Sequence, residues 1–411
     1  MTRRELFQQA LAASTGAALM PKTSIGAPAV VLPVRNVAVV GAGVFGLWTA
    51  YKLLRTGLRV TLLDAFGAGN VRASSTDETR MIRCAYANSS IYTSMAARSL
   101  EEWRETQIRW KKELLVQSGC LWLMGEDDKY FRLSIPYLKN LAIPYEELKP
   151  DDITKRFPSI ATDGVTRGFF EPNAGYLLAR RSCEALLEAF ITEGGEYKPV
   201  AVKTKIMRAG ELEQVLLSDG TMIKAEQFVF AAGAWLREIF PDLLEDVMRT
   251  TRQEVCYFGV SYDDKRINKL PTWVDMTGNA LMYGIPGAGG DTRSSGFKVA
   301  DDTRGGVFSP TSGDRLPSEE GVRTARRFMA RRFPDMQNAP LVHAKICQYE
   351  DSIDGNFIID RLPEAKNVLI VGGGSGHGFK HGPAVGELVT GIIAQGKEIP
   401  KEFALKRFPG K

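Results

Sequence analysis

The sequence predicts an α/β (α+β) fold: a parallel-sheet domain that holds a dinucleotide, interrupted by an inserted region of mixed β-sheet. Three observations lead there. An apolar run ends in a glycine fingerprint just after residue 40, and two further apolar runs pass into glycine near residues 230 and 370. The stretches between them are rich in β-formers and turn residues.

Asn36–Val40 is a short apolar run suited to a buried parallel strand. Gly41, Gly43 and Gly46 follow it in a G-x-G-x-x-G pattern. Such glycines allow a tight turn, close approach of backbone to a pyrophosphate, and close helix–strand contact. Residues 45–54 carry apolar side chains at helical spacing. The start of that helix would aim unpaired N–H groups and a positive dipole end at the phosphates. A second strand over 59–64 ends in Asp64, 23 positions after Gly41. That is close to the roughly 20-residue spacing at which a carboxylate meets ribose hydroxyls. An acid there disfavours a 2′-phosphate, which leaves FAD and NAD, and the glycines do not separate them.

A polar loop over 67–79 leads into helical patterns that run to about Leu115. Residues 119–160 mix short strand patterns with Pro136, Pro144, Pro150 and Pro158, as an inserted region would. A helix is expected from Ala179, then a strand over 197–202 and a hairpin turning at Ser218, Asp219 and Gly220. Residues 227–235 form the second strand-into-glycine passage. Residues 251–310 are β-rich, with a turn at 287–290, and 315–333 reads as one amphipathic helix. The third passage is 367–374, and Gly382–Gln395 is a closing helix. Cofactor-type elements thus occur at both ends and in the middle. A discontinuous, Rossmann-like domain of 36–118, 164–240 and 340–411 accounts for them, with 119–163 and 241–339 forming the substrate domain.

Length and composition suit a globular protein of this kind. The 411 residues are 44% hydrophobic and 25% charged, with a net charge of +5. Basic residues are interleaved with acidic ones, so no nucleic-acid footprint is expected. No run approaches the roughly 18 apolar residues of a membrane span. The five cysteines are Cys84, Cys120, Cys183, Cys256 and Cys347, with no CxxC and only three histidines, so no metal site is expected. An odd number leaves at least one thiol free, joined to another chain, or joined to something else. At the N-terminus, Arg3 and Arg4 precede a weakly apolar Ala- and Leu-rich stretch. Residues 1–30 resemble a twin-arginine signal, which would send the folded, cofactor-loaded protein to the periplasm or outside the cell; without export it would be cytoplasmic.

Over residues 36–400 the chain resembles the D-amino-acid-oxidase superfamily of FAD enzymes, and within it the monomeric sarcosine oxidase branch. Five segments in order carry the resemblance. Gly41–Gly46 with Asp64 match the FAD pyrophosphate and ribose sites. Ser74-Ser-Thr-Asp-Glu-Thr-Arg-Met-Ile-Arg83 is similar to the family's loop ending in T-R-x-x-R. There Arg80 would lie against the flavin and Arg83 would receive the substrate carboxylate, a task that suits the guanidinium fork. The family often has a histidine where this chain has Thr76, which implies a bulkier amine substrate. Gly233, in Phe230-Ala-Ala-Gly-Ala-Trp235, would let backbone approach the cofactor.

The fourth segment is Ser294-Ser-Gly-Phe-Lys-Val299. Lys298 matches the lysine held over the flavin, where a fixed positive charge assists reduction of O2. Asp301 and Asp302 stand where the family has a second histidine, implying a more acidic pocket on that side. The fifth segment spans His343 to Lys380. It puts Cys347 at the family's covalent FAD attachment point and Lys380 at the partner of the carboxylate-binding arginine. Gly374, Gly376 and Gly378 would face the flavin's pyrimidine edge, and His377 would be a positioned polar group. Tyr283 and Tyr349 resemble tyrosines that wall the pocket. The resemblance implies an FAD-dependent amine oxidase acting on an N-alkyl or cyclic α-amino acid, with O2 as acceptor and a monomeric chain. A dehydrogenase passing electrons to a quinone or carrier protein is the alternative, and a flavin-bearing binding protein without turnover a second one.

Overall fold

The computed structural model describes residues 34–261, 263–287 and 296–411. The expected signal at 1–30, residues 288–290 of the expected turn, and Ser294 and Ser295 lie outside them. Val34–Lys411 forms one compact unit.

Two large sheets organise it. The first has six strands in the order Ile358–Leu362, Ala365–Gly372, Gln227–Phe230, Asn36–Val40, Arg59–Leu63 and Glu196–Lys198. All its pairings are parallel except the one between Ile358–Leu362 and Ala365–Gly372. Val37, Ala38 and Val39 are buried on both faces of the sheet, which explains an unbroken apolar run instead of an alternating one. The helices Val44–Arg55 and Gly382–Gln395 pack together on one side, where Gly386 lies against the backbone of Trp48. The three strand-into-glycine passages become adjacent parallel strands. Their carboxyl ends therefore bring Gly41, Asp64, Gly233 and Gly374 to one edge, the usual place for a ligand in an open α/β sheet.

The second sheet has eight strands, ordered Leu341–Ser352, Met248–Phe258, Phe297–Asp301, Met282–Ile285, Thr272–Met276, Cys120–Met124, Arg167–Glu171 and Glu146–Leu148. It is mixed, because Thr272–Met276 runs parallel to Cys120–Met124 while the other pairings are antiparallel. Sheet membership puts Arg167–Glu171 and Leu341–Ser352, which the sequence reading grouped with the cofactor domain, in this second sheet. The Leu341–Ser352 strand pairs along its length with Met248–Phe258, which outweighs its proximity in sequence to the last parallel strand.

Two other departures have local causes. The region 119–160 contains the helix Lys129–Asn140 with Pro136 inside it. Burial of Phe131 and Leu138 holds that helix despite the missing N–H. The Arg80–Arg83 stretch starts in the strand Thr79–Ile82, paired to Gly175–Leu178, and not in the helical pattern expected after residue 79.

Candidate active site

A single cavity of about 770 Å³ runs between the two sheets. Gly41, Gly43, Asp64, Gly233, Arg80, Arg83, Tyr283, Lys298, Cys347, Tyr349, Gly374, Gly376, Gly378 and Lys380 all line it. Gly46 does not. It sits one turn into the helix, where a Cβ would come within 1.8 Å of the Gly41 carbonyl oxygen, so its role is close packing under the loop. Thr76 is buried but does not line the cavity, so its small size does not widen it.

At the sheet end, Gly41 adopts φ +109°, and a Cβ there would lie 2.4 Å from the Ala231 carbonyl oxygen. The helix Val44–Arg55 begins on the cavity wall without a capping bond from its N-cap residue Gly43, and Ser75 Oγ accepts from the Val44 N–H at 2.9 Å. Asp64 braces this loop: Oδ2 accepts from the Ala42 N–H at 2.6 Å, and Oδ1 from the Phe66 and Gly67 N–H groups.

The middle of the cavity is cationic. Strand alternation puts Phe297 and Val299 into the core beside Trp273 and Phe333, and turns Lys298 and Ala300 to the face shared with Tyr257, Tyr283 and Cys347. Lys298 donates to Asp77 Oδ2 at 2.6 Å and to the Thr79 carbonyl at 3.0 Å. Burial pushes its ammonium down to about 8, with Asp77 acting against that loss. Arg80 donates to the same Asp77 oxygen at 2.5 Å, to the Ser74 carbonyl at 2.9 Å, and to Cys347 Sγ at 3.4 Å. Cys347 is a free thiol on the wall.

At the far end, an aromatic wall surrounds two more cations. The Arg83 guanidinium lies 4.2 Å over the Tyr86 ring and 5.0 Å over Trp122, and donates to the Ala85 carbonyl. Lys380 Nζ donates to Tyr86 Oη at 2.9 Å and to the His377 carbonyl at 2.8 Å. Burial, then the Arg83 charge, holds this lysine well below its ordinary value. Neither Arg83 nor Lys380 has a carboxylate within ion-pair distance among the described residues. His377 is held down at about 3 by burial and by Lys380, so its imidazole is neutral. Its Nε2 is 3.1 Å from the Gly355 carbonyl, which makes it the donor there and a positioned polar group. Glu171, buried among the Cys84 and Ala85 N–H groups and Trp122 Nε1, holds the turn that carries Arg83.

The acidic side expected from Asp301 and Asp302 is offset. Arg304 pairs with Asp302 at 2.8 Å and with Asp351 at 3.0 Å, and Asp301 does not line the cavity. Tyr349 and Tyr283 meet there, hydroxyl to hydroxyl, at 3.2 Å. Sequence reasoning missed Asp77, Lys345, Tyr86 and Glu171. Asp77 stood inside the quoted loop, but nothing local marked it as a partner of Lys298.

The family model for FAD dependent oxidoreductases (DAO) matches residues 36–392. The chain belongs to that family. Monomeric sarcosine oxidase of Bacillus sp. (strain B-0618) is 28% identical over 372 residues, covering 88% of this chain and 93% of the relative. N-methyl-L-tryptophan oxidase of Yersinia pestis (strain Pestoides F) is also 28% identical, over 91% of this chain and 99% of its own. Among solved structures, L-proline dehydrogenase from P. horikoshii superposes with a TM-score of 0.78 at 22% identity, over 92% of this chain and 98% of that one. As a member of the family this oxidoreductase takes FAD, and its residues fit the group. The glycine-lined helix start and Asp64 suit the pyrophosphate and ribose, and the cavity continues without a break past Gly233 and Gly374 to the cationic middle.

Proposed function

We propose that this oxidoreductase converts a secondary α-amino acid, N-alkyl or cyclic, to an imine and delivers the electrons to O2 as hydrogen peroxide. The observation that carries this reading is the contrast between its two pairs of buried cations. Arg80 and Lys298 share Asp77, whereas Arg83 and Lys380 face the cavity with no carboxylate of the described chain within ion-pair distance, Glu171 and Asp302 acting on them only from further off. A buried cation pair without an anion is costly, and a substrate carboxylate supplies the missing charge. Both curated relatives are named for N-methyl amino acids, which carry that carboxylate next to the nitrogen.

FAD, when bound, would supply the two-electron redox chemistry for breaking the substrate C–H bond. Arg83 and Lys380 hold the carboxylate and so fix which carbon is presented. Tyr86, Trp122 and Tyr130 exclude water around it. Neutral His377 is too weak a base to take the amine proton, so it orients Tyr86 and Lys380. The substrate gives up two electrons and two protons in becoming the imine, and water then splits an N-alkyl imine into an amine and a carbonyl product, or opens a cyclic one to a single amino carbonyl compound. Oxygen takes up two electrons and two protons. The Lys298 ammonium supplies positive charge where oxygen is reduced. Cys347 would hold the cofactor through a thioether, its S–H and one C–H of the flavin methyl group being broken, with the two electrons reducing the flavin and passing on to O2.

The test is an anaerobic screen of N-alkyl and cyclic amino acids for loss of the oxidised flavin absorbance, followed by admission of air and assay of peroxide. Bleaching with stoichiometric peroxide is expected. If no amino acid bleaches the flavin the substrate class is wrong; bleaching with dye reduction but no peroxide would refute oxygen as acceptor.

A further inference from the structure

Asp77 carries more buried charge interactions than any role assigned above requires. It is fully buried, and its backbone holds φ +91°, a conformation that side-chain-bearing residues adopt only where the surroundings impose it. Its two carboxylate oxygens receive Lys298 at 2.6 Å, Arg80 at 2.5 Å, Lys345 at 2.5 Å and the Tyr257 hydroxyl. These partners come from four strands: Thr79–Ile82 for Arg80 and, in the eight-stranded sheet, Met248–Phe258 for Tyr257, Phe297–Asp301 for Lys298 and Leu341–Ser352 for Lys345. Lys298 and Arg80 line the cavity; Asp77 and Lys345 do not. The carboxylate therefore sits behind the two cavity-facing cations.

We infer that Asp77 is a positioning residue, which holds the Lys298 ammonium charged and directed at the cavity by anchoring it from behind. The inference rests on the proposed role of Lys298 and adds a residue to it. Its physical content is a balance of charges. Asp77 is the carboxylate that Lys298 contacts. Arg80 and Lys345 repel it, Tyr257 and Tyr283 face it as neutral phenols from the flanking strands, and Glu78 lies next to Asp77 in the chain. Three cations share one carboxylate, so an excess of positive charge remains on the cavity side. Take the carboxylate away and Lys298, buried between two other cations, gives up its proton more easily. The Asp77 carboxyl itself stays ionised because those cations outweigh its burial.

The experiment compares holoenzyme carrying Asp77→Asn, Asp77→Gly or Lys298→Met with the unaltered protein. Asp77→Asn keeps the shape and removes the charge. Asp77→Gly removes the charge and also relieves the positive-φ backbone, so it guards against simple misfolding. Two readouts are taken across pH: the rate at which the reduced enzyme reacts with O2, and, without turnover, the absorbance of the resting oxidised flavin. In the unaltered protein both should change at about 8, where Lys298 loses its proton. Both Asp77 variants should move that change to lower pH by about 1–3 units, the shift produced by losing an adjacent opposite charge. Lys298→Met should abolish it.

A merely structural Asp77 would lower the melting temperature and scale the rate equally at every pH. Coincident midpoints in both Asp77 variants and the unaltered protein would overturn the inference. If Lys298→Met leaves the oxygen reaction unchanged, the role of Lys298 fails, and the absorbance midpoint still judges the pairing by itself.

Discussion

Replacing Lys380 by Met tests the substrate-binding end most directly. The lysine is almost fully buried, with its ammonium 2.9 Å from Tyr86 Oη and 2.8 Å from the His377 carbonyl. Methionine is also unbranched and of similar length, so the change removes a charge and a donor with little loss of volume. A charged hydrogen bond to a substrate carboxylate contributes about 1.5–3 kcal/mol. Since Arg83 remains, kcat/KM for an amino acid should fall about 10- to 150-fold. The amide of the same amino acid has no carboxylate to lose, so its kcat/KM should change by less than about 3-fold. The pH dependence adds a second condition. Burial and the Arg83 charge depress the lysine, so it is protonated below a value lying well under 10.5 and neutral above it. A simple alkyl carboxylate, used as inhibitor, should therefore bind tightly at low pH and more weakly as pH rises through that value. In Lys380→Met this dependence should vanish. Equal losses for acid and amide, or a flat inhibitor profile in the unaltered protein, would refute the assignment of Lys380 to the carboxylate.

Two further changes probe the cofactor end. Cys347→Ser should release the flavin into the supernatant on acid precipitation, whereas the unaltered protein keeps its yellow colour in the pellet; the same distribution in both would exclude a thioether at Cys347. Gly46→Ala puts a Cβ within 1.8 Å of the Gly41 carbonyl oxygen, so the helix must move off the loop. Overpacking of this kind costs about 1–3 kcal/mol, which should appear as a lower melting temperature and, in a Cys347→Ser background, as weaker FAD binding; an unchanged flavin dissociation constant in that background would show that the loop does not grip the cofactor.

What could be read from the sequence depended on how far apart the cooperating residues lie. Gly41, Gly43 and Asp64 were legible because strand, turn and helix are consecutive, and the spacing itself encodes the geometry. Lys298, Cys347 and Lys380 lie on different strands and loops, and only the resemblance to a family tied them to one cavity. The structure brings them there, by strand alternation in the first two cases and by the turn before Gly382–Gln395 in the third. Asp302 misled for a related reason: its neutralising partner, Arg304, stands two residues along, where a strand has just ended and the side chain folds back. Glu171 and Tyr86 were illegible because an acid and a tyrosine at those positions look like ordinary surface or core residues until three segments close around them.

The electrostatics of the cavity follow from where the anions are. Five cationic side chains line it, and in a low-dielectric interior each is costly unless a negative charge stands nearby, as Asp302 and Asp351 do beside Arg304. Asp77 serves Lys298 and Arg80 from outside the cavity, so that pair keeps its charge whatever is bound. Arg83 and Lys380 are contacted by carbonyls, a hydroxyl and aromatic faces, with Glu171 and Asp302 beyond ion-pair distance, and these stabilise a cation less than a carboxylate in contact does. One pair thus has its counter-ion built in, and the other gains most when an anion enters. The chemistry proposed above, which would activate oxygen in every cycle but hold a carboxylate only during half of it, is served by that division. The same division predicts different pH behaviour at the two ends: the oxygen step should lose rate as Lys298 deprotonates at about 8, whether or not substrate is present, while proton uptake on binding a carboxylate should be traceable to Lys380 alone.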